Sequence, residues 1–219
     1  MSGGASRIRT GVALLALAMA PLGIHIAIAT RHGMVWAGTL VIAEAALIAW
    51  FALSFVPVPG LRWIGCATVL AVTAAIWRFS PDGIAAASAI PHAIAYLSLL
   101  AAFGASLAPG RKAIVTVFAE KSRGELSPAV ILYTRRVTWA WCVFCACQLL
   151  GSSLLLVFAP AWVWSAFVNL CNPPLLAAMF CGEFAWREWH HGSAPCERLT
   201  DSVRMAARVA RSATPHDAI

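Results

Sequence analysis

The chain has 219 residues, of which 61% are hydrophobic and only 11% charged, a balance that a water-facing surface does not tolerate. The formal net charge of +7 is therefore read against a membrane: it sets orientation and affinity for anionic headgroups, and no nucleic-acid partner is implied. No nucleotide, metal or nucleophile motif of recognised spacing is present, so architecture is more legible than chemistry.

A bilayer core of roughly 30 Å needs about 20 apolar residues of helix. Runs of that length predict six spans at about 11–29, 34–56, 61–77, 84–107, 138–159 and 162–184. The first follows Arg7 and Arg9 and ends Ala27-Ile28-Ala29, as a secretory signal does, but its length and His25 favour a retained helix. Cleavage there leaves five spans and the same orientation. Pro57, Pro59 and Gly60 close the second span, Pro81 to Gly83 follow the third, and Pro160 separates the fifth from the sixth. Such short gaps place neighbours antiparallel, and tryptophans near the span ends, among them Trp36, Trp63, Trp77 and Trp162, suit the headgroup level.

Between the fourth and fifth spans lies a loop, 108–137. Its first half, Arg111 to Arg123, mixes Ile114, Val115, Val117 and Phe118 with charges before Gly124, predicting an interfacial helix. Ser127-Pro128 then supplies an N-cap and a first-turn proline, so a helix starting there continues into the fifth span. After residue 187 a tail, 188–219, carries Arg204, Arg208 and Arg211 opposite Leu199, Val203, Ala206 and Ala210, a basic surface helix. The expected fold is thus an all-α polytopic bundle of six transmembrane helices, 1–187, with a cytoplasmic interfacial helix and a basic C-terminal tail. Fourteen Lys and Arg fall on one side, while the other side holds only Arg31 and Arg78. That asymmetry predicts both termini in the cytoplasm.

Phe103-Gly104-Ala105-Ser106-Leu107-Ala108-Pro109-Gly110-Arg111, Tyr133-Thr134-Arg135-Arg136-Val137-Thr138-Trp139-Ala140-Trp141, Trp164-Ser165-Ala166-Phe167-Val168-Asn169 and Gly182-Glu183-Phe184 with Arg187 form a pattern. It resembles the small multi-pass membrane proteins of bacterial aryl-polyene and xanthomonadin-type pigment gene clusters, over roughly Pro91 to Arg187. That family often has tyrosine where Phe184 stands. The resemblance implies an inner-membrane setting and an accessory part in making an aryl-polyene lipid on acyl-carrier proteins; it implies no activity. Some members carry a ketosynthase label, which needs a Cys nucleophile with His partners in a soluble fold; these residues do not support it.

Two constellations bear chemistry. Arg111, Arg135, Arg136, Glu183 and Arg187 mark three helix ends on one side. Arginine forks suit a lipid phosphate, a phosphopantetheine arm or the acidic face of a carrier protein, whereas ordinary positive-inside charge, with Glu183 neutralising one arginine, is the simpler account of them. The second is a buried polar layer: Glu44, His92 and Asn172 fall about 12 to 15 Å from the outer boundary, with Gln148 at similar depth and His25 shallower. An intramembrane Glu should face the interior, on a proton or substrate pathway, in acid–base chemistry on a lipid, or in interhelical hydrogen bonds alone. Cys142, Cys145 and Cys147 lack a second ligand pair and His190-His191 sit at an interface, so no metal or cofactor is expected. A small transporter or flippase and a membrane acyl- or glycosyl-transfer enzyme remain alternatives to the accessory role.

Overall fold

The computed structural model describes residues 19–54, 56–80 and 83–191, apart from the side chains at 122–123 and 186–191. Every regular element among them is helical. Helix α1 covers Met19–Thr30; α2 covers Met34–Leu53, α3 Pro59–Phe79, α4 Gly83–Ser106, α5 Ile114–Arg123, α6 Pro128–Phe158, α7 Ala161–Ala166 and α8 Asn172–His191, with a π-helical turn at Phe167–Cys171.

Five helices are long and apolar enough to cross a membrane: α2, α3, α4, α6 and the run Ala161–Ala185 that α7, the π turn and α8 make together. Of the expected first span, 11–29, the described part is the shorter apolar α1; residues 1–18 and the expected tail helix from Glu197 to Arg211 lie outside the described residues. Trp36, Trp63, Ile64, Leu150, Val157 and Phe158 are 64–81% exposed. In water such helices would turn polar faces outward; a hydrocarbon surround accounts for both the composition and these faces.

Local sequence sets the helix ends. Arg31 (φ 58°) and Gly33 (φ 70°) are both left-handed between α1 and α2. That conformation costs a side-chain-bearing residue energy, and it is held by Thr30 Oγ1, which donates to Ile26 O at 2.7 Å and accepts from His32 N at 3.3 Å. Pro59 starts α3, where a missing N–H costs nothing. Gly124 (φ 78°) stops α5. Helix α6 runs unbroken from Pro128 through the fifth predicted span. Pro173 and Pro174 cannot donate to the carbonyls four residues earlier, and the chain before them widens to π geometry, with Asn172 N bonding Phe167 O.

The chain divides into two compact units, Met1–Ala101 with Cys142–Leu176 and Ala102–Trp141 with Ala177–Ile219. In the first, Ile24 and Ala27 of α1, Ala37 and Val41 of α2, and Ile84 and Ala87 of α4 form one buried cluster flanked by Trp77. Alanines there allow close helix approach. Gly38 takes this furthest, since a Cβ on it would lie 2.1 Å from the Trp77 ring. A second cluster centres on the fully buried Trp164 with Ala85 and Val168. In the second unit Trp141 stacks on Phe103 at 5.6 Å and meets Phe180 at 4.6 Å.

Candidate functional sites

In the second unit the chain turns at Gly110 (φ 76°), which brings Arg111 and Lys112 to the start of α5. Ser106 pins that start: its Oγ donates to Phe103 O at 2.6 Å and accepts from Ile114 N at 3.0 Å. Helix α6 joins through Thr116 and Thr134, whose hydroxyls lie 2.6 Å apart, and through Arg135, whose Nη2 donates to Leu107 O at 2.6 Å. That carbonyl has no helical partner after α4 ends, and a cation suits it. Arg111, Lys112, Ala113, Thr116, Glu120, Ile131 and Arg135 then line a cleft of ≈ 120 Å3.

Within it, Lys112 Nζ bridges both carboxylate oxygens of Glu120 at 2.8 and 2.9 Å. Arg111 is exposed and makes no hydrogen bond to another described residue. Arg135 retains guanidinium donors beyond the one Leu107 takes. Arg136, one position on, is exposed and does not line the cleft. Glu183, half-buried, accepts from Tyr133 Oη at 3.4 Å. The Arg187 side chain lies outside the described residues. Of the five residues the sequence groups at these helix ends, the structure brings Arg111 and Arg135 to one cleft and adds Lys112, Thr116 and Glu120. Lys112 and Glu120 are separated by nearly two turns of α5 and the link before it, so only the fold of that link reveals the pairing.

The first unit holds the polar layer. His92 packs its ring on Tyr96 at 4.9 Å and faces the Gln148 backbone. Tyr96 donates its hydroxyl to Asn172 Oδ1 and meets Phe144 at 6.3 Å. Two of the four layer residues, His92 and Asn172, thus meet at Tyr96, which sequence reasoning passed over; a tyrosine in an apolar span, one turn from a histidine, was the available signal, because its hydroxyl needs a partner when buried. Glu44 is half-buried on α2, and no hydrogen bond or ring contact joins it to this group among the described residues. His92 Nε2 and Gln148 Oε1 are buried without a partner among the described residues.

A further network sits by the π turn. Asn169 Nδ2 donates to Ser165 Oγ at 3.0 Å, and Ser165 Oγ lies 3.1 Å from His25 Nδ1. With Asn169 occupying one lone pair, the serine proton is directed at His25 when Nδ1 is unprotonated. Ser165 is fully buried, so this pair serves helix packing in the observed geometry. Beside it Trp164 Nε1 donates to Ser152 Oγ at 3.1 Å. On α6, Cys142 and Cys145 are buried while Cys147 is exposed. Comparison with protein-family models, with curated proteins and with solved structures gives no match for this chain.

Proposed function

We propose that this is an accessory protein of the bacterial inner membrane, spanning it six times with both termini in the cytoplasm. In aryl-polyene-type lipid synthesis it holds the phosphate-bearing end of a lipid intermediate or carrier-tethered group at the cytoplasmic face. The cleft walled by Arg111, Lys112 and Arg135 carries this reading. Three of the four sequence stretches that bear the family resemblance, 103–111, 133–141 and 182–184, supply Arg111, Arg135 and the Tyr133–Glu183 bond. The fourteen-to-two distribution of cations supports the orientation. Chemically, a partly enclosed cluster of two guanidiniums and one ammonium favours an anion with several acceptor oxygens.

A complementation strain tests it. Arg111→Lys with Arg135→Lys keeps the charge that orients the helices and loses the planar forks; lost lipid product at unchanged levels of membrane-inserted protein is expected. Full output from that variant withdraws the site. A second reading, passage of a proton or polar group through the first unit, is favoured by the buried atoms of His92 and Gln148 that have no partner among the described residues. Gln148→Leu distinguishes it, because the transport reading loses output while the cleft reading does not.

A further inference from the structure

The charges lining the cleft are Arg111, Lys112 and Arg135 against Glu120, a local balance of +2. The first turn of α5, through Ala113 and Thr116, faces the same space and adds the positive end of a helix dipole. Glu120 already occupies Lys112, at 2.8 Å, in a pair whose lysine side chain is 66% exposed and whose glutamate is 29% exposed. Exposed pairs of this kind are weak, so an incoming anion can displace the carboxylate. The anion must then sit beside a glutamate that has lost its partner.

We propose that the cleft selects a phosphate monoester over a phosphodiester, with its three cations, Arg111, Lys112 and Arg135, setting the choice. This rests on the cleft reading above and narrows it. A monoester carries about −1.5 to −2 at neutral pH and offers three free oxygens, which matches the +2 balance and supplies one acceptor each to Arg111, Arg135 and Lys112. A diester has one charge and two free oxygens; it leaves one cation unmatched and competes poorly with Glu120 for Lys112. The consequence is chemical: phosphopantetheine bound to a carrier protein is a diester, so the favoured ligand is a lipid or small molecule with a terminal phosphate.

The test uses the full chain in nanodiscs of phosphatidylcholine. Calorimetric titration with glycerol 3-phosphate and with dimethyl phosphate should show the monoester bound about tenfold more tightly, the scale one additional unit charge supplies at a partly exposed site. Glu120→Gln raises the local balance to +3 and should tighten both ligands, the doubly charged monoester more, so that the ratio widens, and Lys112→Gln should weaken the monoester selectively. Native mass spectrometry with phosphatidic acid against phosphatidylglycerol identifies the source: retained phosphatidic acid indicates a lipid monoester, and binding of glycerol 3-phosphate alone indicates a soluble one. Equal binding of both phosphate classes by the parent protein, still affected by Arg111→Gln, overturns the selectivity while leaving the cleft intact. No binding of either, in any variant, overturns the cleft reading itself.

Discussion

Arg135 and Arg136 are neighbours with the same charge, yet the structure separates them, and replacing each with methionine exposes the difference. Arg135 Nη2 donates at 2.6 Å to Leu107 O, the carbonyl left open where α4 ends, and Leu107 is only 8% exposed. Methionine keeps the unbranched stem and loses the donor. A hydrogen bond to a charged group contributes about 1.5–3 kcal/mol. With about 2–4 °C of midpoint per kcal/mol for a chain of this size, Arg135→Met should unfold roughly 3–12 °C lower. Arg136 is exposed and off the cleft, so Arg136→Met should remain within about 0.5 kcal/mol of the parent. Thermal unfolding in detergent, followed by tryptophan fluorescence, reads both. Equal shifts, or an unshifted Arg135→Met, would refute the assignment of Arg135 as the tie between α4 and α6.

Gly38→Ala places a Cβ 2.1 Å from the Trp77 ring, and overpacking of this kind costs about 1–3 kcal/mol; Trp77→Leu in the same chain should restore much of it, and a fully stable Gly38→Ala contradicts the close approach. Ser152→Ala leaves the fully buried Trp164 without its acceptor and should cost about 1–3 kcal/mol, with no loss in the same unfolding assay as the opposing result. Gln148→Leu removes a buried acceptor that has no partner among the described residues, so the protein should be as stable or more stable; a lower midpoint means that Gln148 is bonded in the membrane.

Five of the six expected spans were legible, because hydrocarbon demands long apolar runs whatever the packing, and turn chemistry is local: Gly124 ends α5 and Pro128 opens α6 where their residue types imply. The freed carbonyls before Pro173 and Pro174 were also legible. Their accommodation by a π turn was not, since the geometry depends on what Trp164 and Val168 pack against. In the cleft, residue types at helix ends were visible in sequence, but the side-chain directions that assign Arg135 to Leu107 and Lys112 to Glu120 arise only when α4, α5 and α6 meet. Tyr96 illustrates the same limit. Its role follows from lying between His92 and Asn172, residues 80 positions apart in sequence and joined through one ring.

The central claim is a cleft of cations presented to the cytoplasm by a six-span protein, and reporter fusions along the chain test it most directly. Fusions after Gly110 and Gly124, which flank the cleft residues of α5, and at the C-terminus should report the cytoplasm, while fusions at Gly33, Gly83 and Pro160 should report the opposite side. A cleft-flanking fusion on the outer side, or a C-terminus there, would contradict the account.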